Sequence, residues 1–461
     1  MSRWIVTICR WIFLACVFTS TGCRKLLDVP PPQDQVSTGT VFASDTNALS
    51  TLSGMYIQMM DNTRSLLNGG ITIYGGLSAD ELANTYPNIF EDPFRTNTLS
   101  PDNLQNAFQY NMAYTLIHTA NTILSGLDGA THISAATRAE LTGEAKFTRA
   151  LVYFYLVNLY GGVPLVTTSD YAASALLPRS SAAAVYGQIK ADLADAQQLL
   201  TDGYVSTAAY SHDRTRPNRS AATALLARVY FYLGSWAQAD SAASAIIDNP
   251  LYRLEPSLDS VFLSSSREAI WQLQPVHANM ATVEGLNFLP VSLVTPPLYY
   301  LTNYLLSSYE PGDQRKSSWV RKNLSGKSYS YKYKRAVYDS ARIEYNTVLR
   351  LGEIYLIRAE ARVFLANYTG AASDLNIIRS RAGLPASPAT DGSDLLPAIW
   401  HERQIELAVE WGQRWLDLKR SGQIDAVLSV NKPGWTSKSA LFPIPTGELT
   451  KNPNLTQNSG Y

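Results

Sequence analysis

Two stretches, RALVYFYLVNLYGG at residues 149–162 and ARVYFYLG at residues 227–234, carry the same apolar word. Five positions agree without a break: Val152-Tyr153-Phe154-Tyr155-Leu156 and Val229-Tyr230-Phe231-Tyr232-Leu233. Taken alone the word reads as a strand, because aromatic and β-branched side chains favour sheets. Its surroundings decide for helix. The first copy follows TRAELTGEAKFTRA (137–150) and the second RSAATALLA (219–227), both strong helix formers. A weaker third copy lies at Ala361-Arg362-Val363-Phe364, and Asp240 matches Asp374 at the same offset. After the second copy Gly234-Ser235-Trp236 turns the chain, and Ala237, Ala239, Ala243, Ile246 and Ile247 form a new stripe up to Pro250. Small residues let two antiparallel helices approach closely, and the aromatics fill the gap to the next pair. The spacing is that of tetratricopeptide-like hairpins, in which each pair buries its outer face on a neighbour. The expected fold is therefore mainly all-α, a superhelical scaffold of helical hairpins with long loops and a few short strands.

Working outward, three- and four-residue spacing predicts helices from Ser44, over 103–125, over 136–160 ending at Gly161-Gly162, and over 181–200. Gly69-Gly70 and Gly75-Gly76 read as chain breaks. Residues 80–100, with two prolines and no period, read as a long loop. Residues 251–345 are poor in helical pattern, and YSYKYK (329–334) alternates as a strand would. Helices return over 349–367, 370–381 and 395–420, before a Pro-rich tail from Phe442.

Charge narrows the function. Lys+Arg and Asp+Glu are both 38, and only 16% of residues are charged. Nucleic-acid binders carry basic stripes, so no nucleic-acid partner is expected. With 27 tyrosines, uncharged ligands suit the surface better. At the N-terminus, Arg3 and Arg10 precede the apolar run Trp11–Phe18, which is too short to span a bilayer. The pattern is an export signal that ends in small residues at Cys23. Residues 1–22 are expected as a lipoprotein signal peptide, Cys23 as the acylated residue, and 23–45, with Pro30-Pro31-Pro32, as a stiff tether. Ser20 stands where a lipobox normally has Leu. The other cysteines, Cys9 and Cys16, would leave with the signal, so no disulfide or cysteine metal site is expected.

The chain resembles the SusD/RagB family of Bacteroidetes outer-membrane lipoproteins. The resemblance rests on Cys23 followed by RKLLDVPPP, on AYTLIHTANTIL (113–124) and on RALVYFYLVNLYGGVPLV (149–166). It continues through RPNRSAATALLARVYFYLGSWAQA (216–239), LRLGEIYLIRAEA (349–361), DLNIIRSRAGLP (374–385), ERQIELAVEWGQRWLDLKRSG (402–422) and LFPIPTGELTKNPNLTQNSGY (441–461). The resemblance implies an N-terminal region over 46–265 and a C-terminal region over 266–461. It also implies a surface-exposed, nutrient-binding lipoprotein that pairs with a SusC-like TonB-dependent transporter for oligosaccharide uptake. A helical-repeat scaffold for peptides or partner proteins is the alternative, and a helical hydrolase a third reading.

No catalytic or metal motif stands out. His401-Glu402 begins like a zinc helix, but Ile405 holds the place of the second histidine. The charges of 402–420 read as an ion-pair network, with Glu410 and Arg414 spaced to pair along a helix. No enzyme activity, cofactor or metal is expected. A sugar site needs flat aromatic faces and hydrogen-bonding side chains on loops. Two segments qualify: 80–97, with Asn84, Tyr86, Asn88, Phe90, Phe94 and Arg95, and 277–319, with His277, Asn279, Asn287, Phe288 and Trp319. Trp236, Trp271, Trp400, Trp411 and Trp415 read as packing residues.

Overall fold

Both copies of the repeated word are helical. In the computed structural model, which describes residues 38–205, 213–277, 281–337, 339–341 and 343–461, twelve helices have eight residues or more. They are α1 (Asp45–Asp61), α2 (Ile71–Ser78), α3 (Leu104–Leu127), α4 (Ala135–Tyr160), α5 (Ala182–Leu199), α6 (Arg219–Tyr232), α7 (Trp236–Ile247), α8 (Leu351–Phe364), α9 (Tyr368–Arg381), α10 (Gly392–Glu406), α11 (Gln413–Arg420) and α12 (Ile424–Asn431). Side chains of Ser44, Asn103, Ser134, Ser181, Asn218 and Asn367 accept the third amide of the helices they open. The cap of α1 is Ser44, one residue before Asp45. Residues 1–37, with the expected signal peptide, Cys23 and Pro30-Pro31-Pro32, and likewise His212 and Asn279, lie outside the described residues.

The two copies differ in burial. Val152 through Leu156 are all fully buried, because α4 is packed by α1, α3 and α5. In α6, Val229 and Phe231 are buried, whereas Leu233 is exposed. The hairpins α6–α7 and α8–α9 stack through α7 on α8. Ala227 and Ala361 sit at the close approaches, both fully buried. Arginines tie the pairs together. Arg228 binds Glu353 at 2.7 and 2.6 Å. Arg362 reaches both Asp240 and Asp374 at 2.9 Å. The matched acids of the repeat thus share one cation.

Among the described residues eight short strands form four antiparallel pairs: β1 (Leu82–Asn84) with β5 (Tyr299–Leu301), β2 (Val163–Pro164) with β3 (Arg179–Ser180), β4 (Ala269–Leu273) with β8 (Asn346–Arg350), and β6 (Val320–Lys322) with β7 (Ser328–Ser330). The alternation at 329–334 is realised as strand only to Ser330.

Two expectations are corrected. The helix expected over 395–420 is broken between α10 and α11, where Val409, Trp411 and Gly412 have φ of 56°, 48° and 66°. Tertiary partners hold this break: Val409 N–H donates to Glu81 Oε1 and Trp411 N–H to Thr72 Oγ1, both at 3.0 Å. As a result Glu410 and Arg414 do not pair; Arg414 binds Asp80 at 2.9 Å. Gly75-Gly76 does not break the chain, since both glycines lie inside α2. A Cβ on Gly75 would stand 2.8 Å from Gly412 Cα, so this glycine permits a close backbone approach.

Candidate functional site

Residues 85–90 leave β1 as an exposed loop whose shape is fixed from below by one carboxylate. Asp92 Oδ1 accepts from Asn84 Nδ2 at 2.9 Å and from Arg95 at 3.3 Å, and Oδ2 accepts the Asn88 N–H at 3.1 Å. Arg95 Nε in turn donates to Asn84 Oδ1 at 3.0 Å. Partial burial would raise Asp92, but these hydrogen bonds from Asn84, Asn88 and Arg95 outweigh it and lower its pKa. Asn103 Nδ2 holds the Phe90 carbonyl at 3.0 Å. With its polar groups tied down, the loop turns three apolar side chains outward: Tyr86, Ile89 and Phe90 are 54%, 79% and 40% exposed.

The second segment meets this loop through β5. Thr85 N–H donates to the Leu298 carbonyl at 2.9 Å, and Thr85 Oγ1 to the Pro297 carbonyl at 2.6 Å. Below, Glu91 accepts from Arg64 at 2.8 Å and from Tyr299 Oη at 2.9 Å, and Arg64 Nε also reaches Asn287 Oδ1 at 3.3 Å. The stretch LPVSLVTPPL (289–298) then exposes Val291, Leu293 and Val294, and Leu324 from the β6–β7 turn joins them, with Leu324 N–H bonded to the Leu293 carbonyl at 2.9 Å. The two segments thus expose an aromatic group, Tyr86, Ile89 and Phe90, and an aliphatic group, Val291, Leu293, Val294 and Leu324, on a polar underframe. Exposed apolar groups gathered this way are candidates for an interaction surface.

The residues singled out in the sequence fall into four groups. Asn84, Tyr86, Asn88, Phe90 and Arg95 are together in the loop and its support. Asn287 is buried beneath it, its Nδ2 on the Val283 carbonyl at 2.7 Å. Phe94, Phe288 and Trp319 are buried and present no ring to solvent. Phe94 packs between Tyr74 and Phe442, Phe288 against Tyr299, and Trp319 in a small cluster with Phe262 and Tyr333, its Nε1 on the Leu258 carbonyl at 3.0 Å. His277 lines a separate recess with Met60, Asn68 and Val283, with room of about 10 Å³, and its Nε2 lies 2.9 Å from the Asp61 carbonyl. Sequence reasoning missed Ile89, Val291, Leu293, Val294 and Leu324. In the sequence they are isolated apolar residues in stretches without a helical period, which gives no signal of exposure.

The charged helix end is a closed network. Arg350 Nη1 contacts Glu406 at 2.6 Å and Glu268 at 2.9 Å, and its Nε contacts Glu410 at 2.8 Å. Arg315 joins Glu402 at 2.6 Å, Glu406 at 3.0 Å and Asp313 at 2.9 Å. Arg381 bridges Glu268 and Glu406, and Lys332 binds Glu410 at 2.5 Å. Burial alone would raise Glu406, but Arg381, Arg350 and Arg315 outweigh it and hold it well below the carboxylate range. These acids are buried and each already faces a cation. Among the described residues no group of three His, Cys, Asp or Glu is placed to hold a metal, and no helix is long and apolar enough to cross a membrane.

Comparison with known proteins gives one consistent answer. Residues 25–231 match a SusD-like family described as "Starch-binding associating with outer membrane", and residues 294–461 match the SusD family. The chain is 24% identical to SusD-like protein P25 of Formosa agariphila, over 99% of both chains, and 25% identical to SusD-like protein P2 of the same organism, over 97% of this chain and 99% of that one. Its fold is shared with a SusD superfamily protein from Bacteroides vulgatus (TM-score 0.80, 22% identity, 91% of this chain and 99% of that one). It is shared equally with a laminarin-binding SusD-like protein (TM-score 0.78, 24% identity, 91% and 100%). The repeated helical word, the hairpins it builds and these matches across both halves place the chain in the SusD/RagB family.

Proposed function

We infer that this chain is a glycan-binding lipoprotein of the outer membrane, tethered through acylated Cys23, which captures oligosaccharides at the cell surface for a SusC-like TonB-dependent transporter. The observation that carries this reading is the exposed Tyr86–Phe90 loop held rigid by Asp92. A sugar ring has an apolar face of C–H groups and a rim of hydroxyls. Tyr86 and Phe90 offer rings for the first, and the outer edge of the Arg95 guanidinium, 40% exposed, with the Asn88 amide N–H₂ lies at hand for the second. A preformed platform loses little conformational freedom when it binds. The family match and the laminarin-binding fold neighbour support the ligand class. Binding proceeds without turnover in this reading, which the commitment of the buried Glu402 and Glu406 to arginines supports.

Affinity electrophoresis and calorimetry with a panel of polysaccharides test the reading. Tyr86→Ala and Phe90→Ala should each weaken retention about tenfold, the loss of one stacking contact, with unchanged circular dichroism. Variants that bind as tightly as the parent, or release of shorter products from the polysaccharide, would refute it. Recovery of a β-barrel transporter with the tagged chain from outer membranes tests the partner.

A further inference from the structure

The chain is neutral overall, yet its charges are unevenly spread. Between Asp313 and Asp339 lie eight basic residues and no acidic one. The structure divides the eight. Arg315 and Lys332 belong to the buried network. Lys334 and Arg335 pair with Asp259 and Asp339. Lys316, Arg321, Lys322 and Lys327 make no ion pair among the described residues.

Three of those four stand on the β6–β7 hairpin, which is docked against the apolar platform. Asn323 Nδ2 donates to the Thr295 carbonyl at 2.9 Å, beside the Leu324–Leu293 bond. Lys327 Nζ lies 3.7 Å from the centroid of the Tyr300 ring. Tyr300 is the outward residue of β5, since Tyr299 and Leu301 are buried, and it pairs with Ala83 on the strand that leads to Tyr86. The nearest acids of the loop are already neutralised, Glu91 by Arg64 and Asp92 by Arg95. Arg321, 4.8 Å over the Tyr331 ring, and Lys327, over Tyr300, are held by aromatic rings and backbone and not by a carboxylate.

Lysines on short edge strands also discourage strand pairing. That role suits Arg321 and Lys322 on β6. It does not account for Lys327, which lies beyond the turn and covers an aromatic ring. A neutral sugar would have to displace this ammonium to stack on Tyr300. An anionic group would instead draw the ammonium into a charge-assisted hydrogen bond and leave the ring free.

We propose that the platform takes an acidic polysaccharide, one whose sugars carry carboxylate or sulfate, with its anions over Arg321 and Lys327, which the β6–β7 register places on one face, and its rings toward Tyr86 and Phe90. This rests on the glycan reading above and names the class of glycan. The test compares binding of the whole chain to polygalacturonate and to the same polymer with its carboxyls reduced, and to carrageenan before and after desulfation. Polyglutamate supplies charge without sugar, and vesicles rich in phosphatidylglycerol supply a lipid anion. The expected result is at least about tenfold tighter retention of one charged polymer than of its uncharged form at low salt. That preference should fade as salt is raised and vanish in the double variant Arg321→Gln/Lys327→Gln, while retention of the uncharged form is not weakened. The arm that is preferred identifies carboxylate or sulfate. Equal retention of charged and uncharged forms, a double variant that keeps the preference, or equal binding of polyglutamate or vesicles would overturn the proposal. Binding of neutral polymers alone overturns it and leaves the glycan reading standing; no retention of any polymer overturns both.

Discussion

Replacing Glu406 with glutamine should be among the most destabilising single-atom-scale changes available in this chain. The Glu406 side chain is fully buried and receives Arg350 at 2.6 Å, Arg315 at 3.0 Å and Arg381. A charge pair about 4 Å apart at an effective dielectric near 20 is worth about 4 kcal/mol, and three cations touch this carboxylate. Repulsion from Glu268, Glu402 and Glu410 and the cost of burial cancel most of that sum. What remains is the ordinary penalty for breaking a buried pair, about 3–5 kcal/mol. Glutamine keeps the shape but presents an N–H₂ to guanidinium groups that need an acceptor. Urea unfolding followed by tryptophan fluorescence measures the loss, with the exposed Lys451–Glu448 pair as a control worth under about 1 kcal/mol. Because Glu406 is depressed below 4.5, its contribution is complete above that value and is lost as pH falls through the folded pKa. A Glu406→Gln loss below about 1 kcal/mol would refute the reasoning. So would an Arg381→Gln/Glu406→Gln double variant, which restores charge balance, that recovers none of the loss.

Three further outcomes are expected. Gly75→Ala places a Cβ 2.8 Å from Gly412 Cα and should cost about 1–3 kcal/mol, read as a lower urea midpoint. Glu81 is raised to about 8 by burial, with Asp80 adding to it against the Val409 N–H bond and Arg414. Its stabilising contribution is complete near the unfolded value and erodes as pH climbs through about 8; Glu81→Gln should therefore gain stability relative to the parent between pH 6 and 9, which denaturation at the two pH values measures. Cys23→Ala should shift the chain from the detergent phase to the aqueous phase on Triton X-114 partitioning, the outcome expected of the acylation proposed above.

The platform shows how far pattern reading extends. Asparagines and aromatics at 84–90 were legible because no helical or strand period claimed them. The same criterion also picked out Phe94, Phe288 and Trp319, which are buried. Composition cannot tell a ring aimed at solvent from one closed over by a partner more than a hundred residues away, such as Phe442 on Phe94. Val291, Leu293 and Val294 went unnoticed because isolated aliphatics in a Pro-rich loop carry no period.

Local chemistry alone determined the helices, their caps and the hairpin repeat, since turn residues, side-chain caps and a 3.6-residue apolar stripe act over a few neighbouring positions. Long-range contact decided the rest. The break at 407–412 exists because Thr72 and Glu81 take the amides of Trp411 and Val409. The partner of Arg414 is Asp80 because α11 begins beyond that break. Which aromatics face water is likewise settled only when distant segments close over the others, and no residue's own neighbours in sequence contain that information.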